Sequence, residues 1–449
     1  MPISAGLYAL AEAAAGLALA QISGHGRADW LPFIAVRPWL LAVFLIFVAR
    51  WSGFCRLGAA ASALVVSTFA VTVWIALLGG DVAEGVRPLA AGLALAAIFE
   101  AVLIAARWAG GRHWRWLAAA LLLGLLLFPG AVRNFDRLSL GPAEPLARQN
   151  RPDLLLLSGL PLAWGEGDVR AQLSSDAASV ASFAALARNF TVRPIAVADA
   201  ASLARGGLLL MVQPRIDAAG LVAVDDWVRR GGAALILVDP DLRWPSRLPP
   251  GDPRRAPGPE PLAPLLTHWG LGLGIDRDAP MTVRSVRLGG HRLRVRPGAP
   301  GEWSSSTAAC VVSAGGLMAD CGIGNGRAVL IADADLLADD LWAGMGLHGT
   351  DRRHRAADNG PLLVALLDDL SGSYDPKAAD FAAWIDSQGQ WASACALMSV
   401  PALLLILIGA TLFRRDRTAT VAPESQQTYP QPHHEHKGRT MTVFGRFRR

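Results

Sequence analysis

The chain has 449 residues, of which 52% are hydrophobic and 18% are charged, and its mean hydropathy is +0.34. This composition excludes an ordinary soluble enzyme and is typical of a membrane region combined with one further domain. The net charge of +5 does not indicate a nucleic-acid partner, because much of it lies at the ends of apolar segments and in the C-terminal tail.

Residues 1–135 contain apolar segments long enough to cross a bilayer, which requires about 20 such residues. We predict an N-terminal transmembrane bundle of about four or five helices there. The candidate spans are Leu57–Gly79, Pro88–Ala106, Trp116–Val132, and Pro38–Ala49, which reaches spanning length only together with Leu31–Val36 and then includes Arg37. Leu7–Ile22, which contains Glu12, is either a retained span or a signal sequence. The lack of a basic segment before it and of an evident cleavage site favours the span.

Glu100 is the acidic residue of the segment Pro88–Ala106. An ionisable residue inside a span is a candidate functional residue. The alternative, which we favour, is an ion pair with Arg107, two turns away on the same face of the helix.

The basic residues of the loops predict an orientation, because loops rich in arginine and lysine stay in the cytoplasm. One loop contains Arg50 and Arg56, and another contains Arg107, Arg112 and Arg115, whereas the loop between them contains Asp81, Glu84 and only Arg87. The chain is therefore expected to leave the cytoplasm after Trp116–Val132.

The C-terminal span agrees with this orientation. Residues 391–413, Trp391–Phe413, carry no charge and are followed by Arg414, Arg415 and Arg417. We predict a bacterial inner-membrane protein whose central domain is periplasmic. Residues 414–449 are predicted to be a basic, disordered cytoplasmic tail. This tail either flanks the anchor and is attracted to anionic membrane lipid or binds a partner.

From about Arg151 to Gly372, short apolar runs alternate with amphipathic stretches, which predicts βα units around a parallel sheet. The predicted strands are Asp153–Ser158, Thr191–Val197, Gly207–Val212, Ala233–Val238 and Gly326–Ala332. The predicted helices are Ala177–Asn189, Ala218–Arg230, Leu262–Trp269, Leu336–Trp342 and Pro361–Leu370. A β-rich insertion is expected at Thr282–Val295 and Thr307–Gly322.

Cys310 and Cys321 lie symmetrically about Gly315-Gly316, a two-residue turn signal for a hairpin. Directly opposed residues of a hairpin lie at a separation that can suit a disulfide, and such a bond would persist outside the cytoplasm. The alternative is two small buried thiols.

Several segments of the central domain together resemble a known family. They are Leu208–Arg215, Gly220–Pro240 with its Gly-Gly turn and final Asp-Pro, Gly324–Asp340 and Asp358–Leu370. They resemble the GldG-type auxiliary component of bacterial ABC transporters. The resemblance covers residues 151–372 and implies a flavodoxin- or amidotransferase-like α/β fold related to the class I glutamine amidotransferases. It also implies ABC-transporter permease and ATPase subunits as partners.

Enzymes of the amidotransferase type use a cysteine nucleophile on a strained turn after a strand, with a histidine nearby. Here the strand ends carry Gln213-Pro214 and Asp239-Pro240. Because neither place offers a cysteine or serine, we predict no catalytic residue, and we assign no cofactor.

Acidic residues nevertheless follow two predicted strands whose C-terminal ends should meet, which is where open α/β sheets bind ligands. Asp239, Asp241 and Asp333 could hold Mg²⁺ or Ca²⁺ there. The alternative is helix capping and loop hydrogen bonding, which we favour for Asp335 and Asp358.

The loop after Asp239 is basic and contains an aromatic residue. Arg243, Trp244, Arg247, Arg254 and Arg255 are possible interface residues, because Arg and Trp are common interface anchors. Alternatively the loop is solvated and Trp244 packs on the sheet.

Two functional hypotheses remain at this stage. One is a non-catalytic membrane protein that assists an ABC-type transport system. The other is a carboxylate-dependent envelope hydrolase that uses Asp239, Asp241 and Asp333.

Overall fold

A computed structural model of the chain describes residues 2–22, 26–78, 85–141, 147–163, 180–249, 251–275, 283–299, 301–346, 349–376, 380–385 and 387–419. The predicted positions of Asp81, Glu84 and residues 420–449 of the tail lie outside these ranges.

The described residues of positions 2–140 form five apolar helices, followed by one amphipathic helix. They are α1 (Pro2–Ile22), α2 (Leu31–Phe47), α3 (Gly53–Leu77), α4 (Val86–Gly110), α5 (Trp114–Leu127) and α6 (Pro129–Leu140), with a 3-10 turn at Gly111–His113 before α5. Arg56 lies in the first turn of α3 and is buried, so its placement in a loop was wrong.

Four described helices are long and apolar enough to cross a membrane: α1, α3, α4 and Gln388–Arg414 of the C-terminal helix. The predicted span Trp116–Val132 is not one straight helix, because α5 ends at Leu127 and α6 leaves it at a bend of 69°. The two helices together are apolar enough for a fifth crossing, as a broken span or a re-entrant loop. The bend follows from the sequence, because a residue before proline avoids the helical conformation, and Phe128, before Pro129, is extended with ψ 112°.

The α/β region is built on a mostly parallel seven-stranded sheet. Its strands are β1 (Asp153–Ser158), β2 (Thr191–Pro194), β3 (Leu208–Val212), β4 (Ala233–Leu237), β9 (Cys310–Ser313), β10 (Met318–Ile323) and β11 (Gly326–Ile331), in the order β2-β1-β3-β4-β11-β10-β9. The pairs from β2 to β11 are parallel, as predicted, whereas β10 and β9 join antiparallel.

Helices cover both faces of this sheet, which explains why its central strands are apolar throughout. The helices are α7 (Ala181–Asn189), α8 (Ala200–Leu203), α9 (Ala218–Arg229), α10 (Ala263–His268), α11 (Asp339–Trp342) and α12 (Asn359–Leu370). The core on one face includes Leu186 and Leu366, and the core on the other includes Val224 and Leu265.

The predicted β-rich insertion contains the pair β6 (Arg284–Leu288) and β7 (His291–Val295) and the strands β9 and β10. A further pair of strands, β5 (Leu271–Ile275) and β8 (Gly301–Ser305), was not predicted. The strands β9 and β10 extend the main sheet, with Cys310 directly opposite Cys321. The two sulfurs are bonded, so the predicted disulfide is confirmed. The short strands β12 (Gly344–Gly346) and β13 (Gly349–Asp351) form a separate pair.

The C-terminal helix α13 (Gln388–Ala419) extends six residues into the segment predicted to be disordered. It packs against α1 in the antiparallel sense, because Gly6 lies against Ala402 and Gly409 lies against Ile3.

The α/β region contacts the bundle at the start of α13. Ala28 N–H donates to Ala383 O (2.8 Å), and Ile385 N–H donates to Gly26 O (2.7 Å), around an antiparallel bridge between Arg27 and Trp384. The loop between α1 and α2 and the segment before α13 therefore lie at the same end of the bundle.

Candidate functional site

The candidate site is a cleft at the C-terminal edge of the parallel sheet, the usual ligand-binding edge of such sheets. Residues that follow β1, β3 and β4 surround a cavity of about 550 Å³. Its lining includes Leu160 and Pro161 after β1, Arg215 after β3, Asp239 and Pro240 after β4, and the loop from Leu242 to Gly258.

Gln213 is hydrogen-bonded to two lining residues of this cleft, Asp239 and Pro257, and has an unusual conformation. It is fully buried and has a φ of 41°, a backbone conformation that residues other than glycine rarely adopt. Its Nε2 donates to Asp239 O (2.8 Å) and Pro257 O (3.2 Å), and Asp239 N–H donates to its Oε1 (3.1 Å). The strained residue thus ties the end of β3 to both ends of the 239–257 loop.

The carboxyl groups of Asp239, which is bonded to Gln213, and of Asp333 are both buried. The first, Asp239, accepts Asp241 N–H (2.9 Å) and Ala334 N–H (3.1 Å). The second, Asp333, accepts Leu336 N–H (2.9 Å) and Gly298 N–H (2.7 Å). Both carboxyl groups are therefore occupied by main-chain donors.

Burial raises the pKa values of the Asp239, Asp333 and Asp335 carboxyl groups, and neighbouring carboxylates add to the effect. Burial, and then the neighbouring Asp335 carboxylate, raise the pKa of Asp239 from 3.8 to about 6. Burial, followed by the charges of Asp239 and Asp335, raises the pKa of Asp333 well above its usual range. The pKa of Asp335 is raised mainly by burial.

The predicted metal candidates do not form a ligand set. Asp241 is half-buried and pairs with Arg243 (Oδ2 to guanidinium nitrogen, 3.3 Å). Within the described ranges, no group of three or more His, Cys, Asp or Glu residues could hold a metal ion.

Of the capping and loop hydrogen bonding predicted for Asp335 and Asp358, the loop hydrogen bonding is observed, whereas neither side chain caps a helix. The Asp335 Oδ2 accepts Arg243 N–H (2.9 Å), and it is Asp333 that accepts from the first turn after Asp335. The Asp358 carboxylate precedes α12 without capping it, and instead accepts Arg294 N–H (3.1 Å), Ala382 N–H (3.2 Å) and the Trp384 indole.

The basic loop lies on the rim of the cleft. Trp244 and Arg255 line the cavity, and Trp244 also packs against the core of the sheet, as the alternative interpretation of this residue predicted. The guanidinium of Arg254 makes two hydrogen bonds to Asp252 (3.0 and 2.8 Å). Arg243 and Arg247 are exposed and are not in the cavity lining.

The cleft offers no nucleophile of the expected kind. Among the described lining residues the one hydroxyl belongs to Ser246, whose Oγ accepts Leu248 N–H (3.2 Å), and there is no cysteine or histidine. The Ser158 hydroxyl, at the end of β1, exchanges hydrogen bonds with the main chain of Leu160.

Inside the bundle the structure contains two ion pairs that the sequence analysis missed. Arg37 Nε donates to Glu12 Oε1 (2.7 Å), and its other nitrogens contact Pro88 O (2.9 Å) and Thr68 Oγ1 (3.3 Å). Arg56 Nε donates to Glu100 Oε2 (2.9 Å). The predicted pair of Glu100 with Arg107 was therefore wrong. The signal available in the sequence was that α1 and α4 each contain one acid, Glu12 and Glu100, and that α2 and α3 each contain one arginine.

No protein-family model matches the chain, and no curated protein matches it. Among solved structures, it is similar to an exo-β-1,4-mannosidase from Opitutaceae bacterium strain TAV5 (9% identity, 49% of this chain, 35% of that chain, TM-score 0.28). It is also similar to a β-galactosidase from Bacillus circulans sp. alkalophilus (14% identity, 59% of this chain, 36% of that chain, TM-score 0.29). The chain spans about a third of the length of these structures, and a likeness at these TM-scores carries no argument about this protein. Its own described residues define a class: a chain with at least four helices long and apolar enough to cross a membrane and a mostly parallel sheet covered by helices.

Proposed function

We propose that this chain is a non-catalytic, multipass protein of the bacterial inner membrane that serves as a binding or assembly component of an ABC-type transport system. In this proposal the α/β domain lies in the periplasm and the C-terminal tail lies in the cytoplasm. The proposed absence of catalysis is supported by the position of Gln213. It occupies a strained turn after a strand, where an amidotransferase-type enzyme would place its nucleophile, and its amide is fully engaged with the main chain.

Membrane insertion is supported by the surface of the helices. Only 17% of the most apolar window of α13 is buried within the chain, and its outer face carries Leu403, Leu407 and Phe413. A continuous apolar surface of this kind needs a lipid environment.

The proposed orientation is supported by the positions of the loops. The α/β domain contacts the end of the bundle that contains Gly26 and the start of α13. The antiparallel packing of α1 and α13 places Arg414 at the opposite end. Arg50 lies between α2 and α3, at that same distant end, as the rule for cytoplasmic basic residues requires.

The orientation is testable with engineered thiols in a background with Cys55→Ser and Cys395→Ser. The exposed residue Asp226 on α9 is changed to cysteine, with Arg50→Cys as the matched control. In cells with a permeabilised outer membrane, an impermeant maleimide should label the Asp226→Cys protein and not the Arg50→Cys protein. The reverse pattern would refute the orientation.

The link to a transport system rests on the resemblance to the GldG type. The resembling segments form β3, α9, β4, β11 and α12, which include the centre of the sheet. The sequence has no Walker A motif, so the energy for transport would come from a partner ATPase.

This link is testable by crosslinking in native membranes and purification of the tagged full chain. A permease and an ATPase of the ABC type should be recovered with it. If the permease and the ATPase are recovered no better than unrelated inner-membrane proteins of similar abundance, the assignment is contradicted.

The alternative hypothesis, a carboxylate-dependent envelope hydrolase, is favoured by one observation: Asp239 lines the cavity and has a pKa of about 6, which suits a general acid or base near neutral pH. It is disfavoured by the main-chain hydrogen bonds that occupy both carboxyl oxygens. If this hypothesis holds, envelope-type ester, amide or glycoside substrates will be hydrolysed by the natural protein and not by the Asp239→Asn variant.

A further inference from the structure

The cavity at the C-terminal edge of the sheet has closely packed walls. A β-carbon added at Gly159, after β1, would overlap Gln213 O and would lie 2.9 Å from Pro257 Cδ. The end of β1, the end of β3 and the returning loop therefore approach more closely than any residue but glycine allows. Arg215 Nη2 donates to Arg255 O, which fixes the same loop a second time. Walls that are already in place leave little to be ordered when a ligand binds.

The charges in the lining of this cavity balance. Arg215 and Arg255 contribute two positive charges. Burial raises the pKa of Asp239 to about 6, and hydrogen bonds from Arg254 lower the pKa of Asp252 to about 2, so both carboxyl groups are mostly ionised at neutral pH. A ligand with a net charge of either sign would therefore meet a like charge in the lining. The lining favours a neutral ligand.

The polar groups of the lining include both donors and acceptors of hydrogen bonds. Guanidinium groups only donate, and carboxylates only accept. Within the described part of the chain the Arg255 guanidinium makes no hydrogen bond, and Asp239 Oδ1 accepts one main-chain N–H group, from Asp241 (2.9 Å), which leaves a lone pair for a ligand. Because a hydroxyl group both donates and accepts, a ligand with several hydroxyl groups can bond to both kinds of side chain without carrying charge.

The apolar part of the lining contains one aromatic ring among the described residues, that of Trp244. This residue is half-buried, so part of the ring remains accessible from the cavity. Leu160, Pro161 and Pro240 complete the apolar surface. A sugar ring has an apolar C–H face and a rim of hydroxyl groups. It can therefore lie flat on the large apolar surface of an indole ring while its rim bonds to the polar side chains.

The surrounding strands exclude a common way of binding a peptide. Extended peptides add to an open edge of a sheet, but β1, β3 and β4, which end at the cavity, are each paired on both sides. Proline-rich peptides dock in grooves lined by aromatic residues, and the described lining has only one. The cavity of about 550 Å³ lies within the range of small-molecule sites, roughly 300–1,000 Å³. Its size and lining therefore suit a small ligand better than a peptide.

We propose that this cavity binds a neutral saccharide of one or two sugar rings, which stacks on Trp244 and bonds through its hydroxyl groups to the arginines and aspartates of the lining. The inference rests on the proposed function, because it names the ligand class of a periplasmic binding component. The ligand is then a glycan, or a fragment of one, that is present in the cell envelope.

The test uses the full chain in detergent micelles, with the neutral disaccharides cellobiose, maltose and N,N′-diacetylchitobiose as probes. Saturation-transfer NMR detects binding, and titration measures the dissociation constant. At least one disaccharide should bind more tightly than glucuronic acid and than a peptide of three prolines. If none of the disaccharides binds, or if the acid or the peptide binds more tightly than all of them, the proposal is overturned.

Variants of the lining test the predicted contacts. Trp244→Ala should weaken disaccharide binding by on the order of tenfold, because the ring covers roughly 50 Å² of apolar sugar surface, whereas Trp244→Phe should keep most of the affinity. Arg255→Gln should also weaken binding by about tenfold, through the loss of a charged donor. The controls Trp108→Ala and Arg230→Gln change exposed residues outside the lining and should bind like the natural chain. Equal affinities in the lining variants and the controls would overturn the proposal.

Failure of this inference can be told apart from failure of the proposed function. If the crosslinking experiment recovers the ABC subunits but no disaccharide binds, the saccharide site alone is refuted. If a disaccharide binds but no ABC subunit is recovered, the saccharide site stands and the link to a transport system is refuted.

Discussion

In the helical bundle Glu12 and Glu100 are each paired with an arginine from another helix, whereas in the α/β domain Asp239 and Asp333 are held by main-chain N–H groups. Both regions face the same difficulty, because an ionised group without partners is costly to bury. They resolve it with different donors.

The difference follows from the backbone. Inside a helix every N–H group is bonded to a carbonyl four residues earlier, so an acid in an apolar bundle finds no free main-chain donor. At the C-terminal edge of a parallel sheet, the loops supply N–H groups that the strands do not use. Charge in the bundle therefore requires a second side chain, and charge at the sheet edge does not.

The largest expected effect is at the pair of Arg37 and Glu12. Arg37→Gln leaves Glu12 buried without its partner and should cost about 3–5 kcal/mol of unfolding free energy. The double variant Arg37→Met/Glu12→Met removes both charges and should cost less than half as much. Unfolding of the chain by SDS in mixed micelles measures both, and equal losses in the two variants would contradict the pairing.

The second effect concerns the partner of Glu100. Arg56→Gln and Glu100→Gln should each cost on the order of 3 kcal/mol, and together they should cost little more than either alone, because they break the same contact. Arg107→Gln is the control and should be nearly neutral. A large effect of Arg107→Gln with a small effect of Arg56→Gln would restore the pairing expected from the sequence.

The third effect is a pH dependence that belongs to the sheet edge. Because the folded pKa of Asp239 is about 6 against an ordinary value of 3.8, ionisation opposes folding. The protonated Asp239 carboxyl group therefore adds at most about 3 kcal/mol to the free energy of unfolding. This contribution is fully present below about pH 4 and is lost as the pH rises through 6.

Asp335→Asn should reduce this loss, because it removes one repelling charge while its amide oxygen can still accept Arg243 N–H. The melting temperature of this variant relative to the natural chain should rise between pH 5 and pH 8, by the equivalent of about 1 kcal/mol. The control Asp226→Asn, at an exposed site, should show no such trend. A parallel pH profile for Asp335→Asn would argue against repulsion among these carboxyl groups.

The smallest effect separates strain from hydrogen bonding at Gln213. Gln213→Ala loses the side-chain hydrogen bonds and keeps the strained φ, whereas Gln213→Gly loses the same bonds and relieves the strain. The glycine variant should be more stable than the alanine variant by about 1 kcal/mol. Thermal unfolding measures the difference, and equal stabilities would show that the positive φ is not maintained at a cost.

The sheet was predictable from the sequence because its strands are short, fully apolar runs separated by amphipathic helices. Asp153–Ser158 was predicted with its observed bounds, and Ala218–Arg230 differs from α9 by one residue. The disulfide was predictable because a Gly-Gly turn fixed the register of its hairpin.

The ion pairs were not predictable in the same way. The partner of Glu100 depends on which helices pack together, and helical spacing reports only neighbours on the same helix. The break at Pro129 was visible in the sequence, but the apolar residues on both sides of it concealed its effect on the span. Gln213 as a strained residue could not be found from spacing, because positive φ has no signature in a glutamine.

The bridge between Arg27 and Trp384 joins two connecting segments that are far apart in sequence. One lies between the first two helices, and the other immediately precedes the last helix. The α/β domain is thus joined to the helices through two separate segments, which restrain its orientation relative to them more than a single connection would. A tilt of the last helix would therefore be transmitted to the α/β domain, and a movement of the domain would be transmitted to the helices.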